Sequence, residues 1–125
     1  YKNKSIIISG DKDMRTIPAF HCSMIDNQIE KIDENLADYN FCTQVLTGDQ
    51  TDGYAGCPTV GPKTAQKILA KCETKADMWN AVVAAYAKQK LSTEVALIQA
   101  QVARICRASD FNFKTRKVQL WTPPV

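Results

Sequence analysis

"LTGDQTDGYAGCPTVGPKTAQKIL", residues 46–69, places two aspartates, Asp49 and Asp52, directly ahead of a run of turn-forming residues and a lysine-bearing segment. Gly53, Gly56, Pro58, Gly61 and Pro62 all fall between positions 53 and 62, a density that demands tight turns. Pro62 suits the first position of a helix running to roughly Lys71. On such a helix Lys63, Lys67 and Lys71 recur at i, i+4 and i+8 and share one face. Backbone N–H groups where a glycine-rich turn enters a helix can hold a phosphate without reading any base. Gly56, Gly61, Lys63, Thr64, Lys67 and Lys71 are therefore the candidate residues for binding a polyanion. A solvated lysine stripe after a connecting loop is the plain alternative.

The acids ask for a different chemistry. "SIIISGDKD", residues 5–13, is a β-branched run ending in Ser-Gly-Asp, the pattern of a strand buried on both faces in the middle of a sheet. Asp11 and Asp13 stand two apart where that strand ends, so an extended backbone would point both carboxylates the same way. Asp49 and Asp52, three apart past a helix end, could converge likewise. Four carboxylates from two chain turns make a hard, oxygen-rich site suited to Mg²⁺ or Mn²⁺ rather than zinc. Taken singly, each pair is explained equally well by the preference of Asp for turns and caps.

Around these segments the pattern is mainly helical with a small β component. "AFHCSM" and "QIEKI" read as a hairpin turned at Asp26 and Asn27. Residues 33–47 suit a helix capped by Asp33 and ended by Gly48. Two more helices are predicted: residues 76–88, with Trp79, Val82, Val83 and Tyr86 inward, and residues 93–108 after a Ser92 cap, with Val95, Ile98, Val102 and Ile105 inward. "RKVQLWTPP" closes the chain as a short strand or extended tail.

At 125 residues and 45% apolar content the chain is about one domain, long enough to bury a core. No apolar run approaches the roughly 20 residues that span a bilayer, and no signal-peptide pattern opens the chain, which reads as soluble and intracellular. The five cysteines include no C-x-x-C pair and are expected to be free thiols. His21, the only histidine, lies in an alternating strand-like stretch and is given a structural role. Residues 1–59 carry five Lys/Arg against nine Asp/Glu and residues 60–125 eleven against four, so −4 and +7 give the net +3. This division fits a polyanion held by one part while carboxylates act from the other, and it fits two solvated faces.

"SGDKDM" together with "LTGDQTDGYAGCPTVGPKTAQKIL" resembles the C-terminal part of the 5′ nuclease family: flap endonucleases, the 5′ nuclease domains of bacterial DNA polymerases and phage 5′→3′ exonucleases, the last most of all. "NFCTQVLTGDQTDGYAGCP" and the terminal "KVQLWTPP" are also similar to the phage group, so the resemblance covers most of the chain. It implies that Asp11, Asp13, Asp49 and Asp52 are catalytic metal ligands for a pair of Mg²⁺ or Mn²⁺ ions, with K⁺ at the hairpin carbonyls. It implies an α/β nuclease core ending within residues 1–32 and a helical, helix-hairpin-helix (SAM-like) DNA-binding region over 33–125. The implied partner is the duplex DNA backbone near a 5′ end or flap, and the implied setting the cytoplasm of a bacterial host.

The family's N-terminal half carries further acids, and none precedes Tyr1 here. The chain is accordingly expected to be the C-terminal part of a larger protein and its catalytic site incomplete, with the missing N-terminal part as a partner and Ile6, Ile7 and Ile8 left with an exposed flank where sheet neighbours belong. A non-enzymatic helix-hairpin-helix module binding duplex DNA without sequence preference is the alternative reading. Lone modules do not need both "SGDKD" and "GDQTD".

Overall fold

The computed structural model describes residues 4–124; Tyr1, on which the expectation of a missing upstream part rests, lies outside the described residues, as does Val125. Strand β1 (Ile6–Ile8) leads through a 3₁₀ turn (Lys12–Thr16) into β2 (Ala19–Cys22) and β3 (Ile29–Ile32). The sheet order is β1-β2-β3, with β1 parallel to β2 and β2 antiparallel to β3. Asn27 turns the β2–β3 connection with φ +56°, as its short polar side chain tolerates. The buried ring of His21 bonds the Ile17 carbonyl at 2.8 Å, a structural role.

Strand β1 is not buried on both faces, and it carries the exposed flank expected of a sheet short of neighbours. Among the described residues it pairs with β2 alone, and Ile6 and Ile8 are 47% and 67% exposed. A run of isoleucines specifies the strand conformation, but burial requires a neighbour on each side and a layer on each face.

Four helices follow: α1 (Glu34–Thr47), α2 (Pro62–Leu69), α3 (Lys75–Lys88) and α4 (Thr93–Ala103). Asp33 caps α1 by accepting from the Leu36 amide, and Gly48 ends it with φ +70°. The side chains of Thr74 and Asp77 close a capping box at the start of α3. Helix α1 is central: Phe41, Val45 and Leu46 on it meet Leu69, Met78, Val82 and Tyr86 in one core. The buried Tyr86 hydroxyl donates to the Val45 carbonyl at 2.7 Å, satisfying its one polar atom. Beyond a second 3₁₀ turn (Ala108–Asp110), β4 (Phe111–Asn112) and β5 (Lys117–Val118) form an antiparallel hairpin. Trp121 then packs edge-to-face on Phe41 and Trp79, at centroid distances of 5.2 and 5.1 Å.

Helix α4 departs from expectation in length and in facing. It ends at Ala103, where Arg104 turns extended, so Ile105 lies outside the helix. Its buried face is Ala96, Ala100 and Ala103, and Val95 packs against the core as expected, whereas Ile98 and Val102 are 57% and 56% exposed. Two apolar stripes share this helix, and the one with smaller side chains lets α4 approach α1 and α3 closely. All five cysteines are free thiols, and Cys106 is the exposed one.

Candidate metal centre and nucleic-acid interface

The acid-bearing loop is built on a backbone crossing. Gly48 and Gly56, both with φ +70°, bring their chains so close that a Cβ on Gly48 would lie 2.4 Å from the Ala55 carbonyl carbon. A Cβ on Gly56 would lie 2.3 Å from the Gly48 nitrogen. Between these points the Asp49 amide donates to the Tyr54 carbonyl at 2.8 Å and the Tyr54 amide returns to Asp49 at 3.1 Å. The Asp49 carboxylate accepts from the Thr51 amide at 2.8 Å and the Asp52 amide at 3.3 Å, which rigidifies the turn.

Three of the four expected acids converge. One carboxylate oxygen each from Asp13, Asp49 and Asp52 lie within 4.8 Å of one another. Asp11 is not part of this group: it caps the first 3₁₀ turn, accepting from the Asp13 amide at 2.9 Å. The reason is geometric. β1 ends at Ile8 and the chain coils from Lys12, so the two-residue alternation of an extended backbone no longer governs where Asp11 and Asp13 point.

The electrostatics of the cluster show a demand for positive charge. The Lys12 ammonium lies 2.5 Å from Asp49 and 3.2 Å from Asp13. Its hydrogen bond to Asp49 is the main cause that raises the lysine pKa well above its ordinary value. The same bond lowers the Asp49 carboxyl below the usual carboxylate range. Among the described residues Asp52 has no such partner; a hydrogen bond with the adjoining Asp13 carboxylate, then desolvation, then the charges of Asp13, Asp49 and Asp11 raise it.

Positioning residues that leave no local signal in the sequence hold Asp13. Gln44 on α1 is buried and donates its amide to the Asp13 carboxylate at 2.9 Å. The Gln44 Oε1 is itself buried with no partner among the described residues, an unsatisfied oxygen on the amide that grips Asp13. The Thr16 hydroxyl donates to the Asp13 carbonyl at 2.8 Å, and Arg107 Nε donates to the Thr16 carbonyl at 3.0 Å. Arg107 also pairs with Asp38 on α1 at 2.8 Å, and Asn40 donates to the Arg15 carbonyl at 2.9 Å. An all-oxygen donor set that already draws in an ammonium fits a hard divalent cation.

The candidate phosphate-binding residues divide. Gly61 caps α2 with no side-chain hydrogen bond, Pro62 takes the first turn, and Gly61, Lys63, Thr64 and Lys67 are exposed. Lys71 is exposed but lies past the helix, which ends at Leu69, so it does not extend the Lys63–Lys67 face. The Gly56 amide donates to Gln99 at 2.8 Å and the residue is buried; this glycine shapes the crossing and offers no free donor. The left-handed position of the glycine-rich turn is held by Thr59, with φ +65°, after Pro58.

The chain is 27% identical to an exodeoxyribonuclease of Enterobacteria phage T3 and 29% identical to an exonuclease of Escherichia phage T7. Each alignment covers 96% of the chain and 49% of the relative, so the chain spans about half the length of these curated relatives. No protein-family profile and no solved structure matches it.

Proposed function

Taking the chain as a relative of the phage exonucleases, we propose that it is the metal-binding and DNA-gripping portion of a 5′→3′ exonuclease that hydrolyses phosphodiester bonds. The convergence of Asp13, Asp49 and Asp52 beneath a lysine ammonium carries this reading. Those three carboxylates would hold a divalent cation, Mg²⁺ or Mn²⁺, with Asp11 adding negative charge from the turn below. When bound, such ions lower the pKa of water and offset charge on the phosphate in the two-metal manner. Three carboxylates are short of what two divalent ions need, and we assign the remaining ligands to a part of the protein outside these residues.

The chain's own groups perform the positioning. Gln44 keeps Asp13 directed at the cluster, the Gly48–Gly56 crossing holds Asp49 and Asp52, and Lys12 neutralises two of the acids until a cation replaces it. Helix α2 follows the acid loop, and its open N-terminus with Lys63, Thr64 and Lys67 would take the phosphates of duplex DNA in the manner of a helix-hairpin-helix element. K⁺ at the carbonyls of that turn belongs to the same proposal.

The test separates cutting from holding. In the complete protein, with the remaining ligands present, Asp49→Asn should abolish Mg²⁺-dependent release of 5′ nucleotides while leaving duplex affinity within about twofold, since a neutral isostere removes a ligand charge and keeps the shape. Lys63→Ala and Lys67→Ala should each weaken duplex binding without sequence preference and lower the salt slope by roughly one. Full nuclease activity in the Asp49 variant would overturn the metal assignment.

A further inference from the structure

The β4–β5 hairpin carries a set of side chains that neither the acid cluster nor helix α2 uses. Phe111 pairs with Val118 and Asn112 with Lys117 across the two strands. The pairing puts Phe111 and Val118 on one face, with Phe113 in the turn and Leu120 beyond β5, and Phe113, Val118 and Leu120 are 73%, 61% and 70% exposed. The Phe113 ring stands edge-on to Phe111 at 5.0 Å, held but uncovered. The same hairpin carries three exposed cations, Lys114, Arg116 and Lys117, and residues 111–125 contain no Asp or Glu at all.

We propose that this hairpin is a binding platform for unpaired nucleotides, a second nucleic-acid site apart from helix α2, and the inference rests on the nuclease reading above. An exposed phenylalanine can stack on a base only where that base is free of its duplex neighbours. Cations on the same hairpin supply what the phosphates of the same strand require. That combination selects single-stranded nucleic acid over a protein surface, which would find three positive charges without a compensating acid.

The platform is rigid and mechanically tied to the acid cluster. The Asn112 carboxamide accepts from the Lys114 and Thr115 amides at 3.0 and 3.1 Å and so fixes the tip. At the base, the Gln119 amide donates to the Asp110 carbonyl at 2.7 Å. The Asp110 carboxylate takes two hydrogen bonds from Arg104 and one from the Arg107 amide. Arg107 in turn bonds the Thr16 carbonyl, and Thr16 bonds the Asp13 backbone. An unpaired strand lying on Phe113 is thus held in fixed register to the carboxylates, as a single-stranded end leaving a cutting site needs to be.

The test uses fluorescence anisotropy of the protein with labelled oligo-dT, oligo-rU and a blunt duplex, in EDTA so that nothing is cut. Phe113→Ala should weaken oligo-dT binding about tenfold, as removal of one stacked base does, and leave duplex affinity and thermal stability unchanged. Lys114→Ala with Lys117→Ala should lower the single-strand salt slope by about 1.4, roughly 0.7 for each phosphate no longer neutralised. The oligo-rU arm reports whether the platform distinguishes the sugar. Unaltered oligo-dT affinity in the Phe113 and lysine variants, with duplex binding through Lys63 and Lys67 intact, would overturn the inference and leave the nuclease reading standing. A change in oligomeric state in place of a change in affinity would likewise overturn it, in favour of a protein partner. Failure to bind either strand form would remove the nuclease reading and the inference together.

Discussion

Replacing each of three glycines with alanine separates two costs that usually arrive together. Gly48, Gly53 and Gly56 all have positive φ, at +70°, +79° and +70°. A side chain at such a backbone costs about 1–2 kcal/mol, partly returned by the lower entropy of the unfolded alanine chain. At Gly53 nothing lies within 4 Å of an added Cβ, so Gly53→Ala should cost only about 1 kcal/mol. At Gly48 the methyl would meet backbone at 2.4 Å and at Gly56 at 2.3 Å, and backbone cannot swing aside as a long side chain does. Forced separation adds about 1–3 kcal/mol of overpacking, so Gly48→Ala and Gly56→Ala should each lose about 3–4 kcal/mol. That is a third or more of a small domain's stability. Urea unfolding followed by the fluorescence of Trp79 and Trp121 reads this directly, with an unchanged m-value confirming that the same structure is lost. The Gly48 variant should also lose divalent-ion affinity, because Asp49 and Asp52 ride on the displaced loop. Equal losses at Gly53 and Gly48 would refute the crossing as the source of the effect.

Three further outcomes follow from the site and its turn. Lys12→Gln should raise Mn²⁺ affinity about fivefold in calorimetric titration, since a divalent ion no longer has to break two partly exposed ion pairs; unchanged or weaker binding would refute the competition. Asp52→Asn should raise the metal-free melting temperature, because its carboxyl is held above the usual range by the Asp13 carboxylate and so destabilises the fold when ionised. Mg²⁺ should raise the melting temperature of the parent and not that of this variant, and the metal-free gain should vanish below the pH at which Asp52 is protonated in both the folded and the unfolded parent. Thr59→Gly should stabilise by about 1 kcal/mol in urea unfolding, because a β-branched residue at φ +65° is strained.

Where a structural feature is encoded within a few residues, the sequence announces it. Asp33 and Ser92 cap their helices, Pro62 opens α2, and Gly48 ends α1, each by chemistry confined to one turn of chain. The approach of Asp49 to Asp52 is local in the same sense. The grip of Gln44 on Asp13 spans 31 positions and that of Arg107 on Thr16 spans 91, and no periodicity records either. Strand alternation misplaces Asp11 because β1 stops at Ile8, before the acids are reached. The facing of helix α4 is misread from sequence because hydrophobicity ranks isoleucine above alanine, whereas close packing against α1 and α3 favours the smaller side chain and leaves Ile98 outward.

Among the five thiols, Cys42 and Cys57 are buried within the core and Cys72 packs against it. Burial pushes Cys42 up to about 12 and raises Cys57 and Cys72 as well, so at neutral pH they remain protonated and slow toward alkylating reagents. Cys106 is exposed and immediately precedes Arg107, whose amide anchors the Asp110 carboxylate at the foot of the hairpin. The natural sequence therefore supplies its own attachment point for a dye: brief treatment with a maleimide fluorophore should label this position first, with no cysteine engineered in or out. One residue before Arg107, which bonds both Asp110 at the foot of the hairpin and the Thr16 carbonyl, that dye would register the arrival of a strand as a change in quenching, and the arrival could be timed by stopped flow.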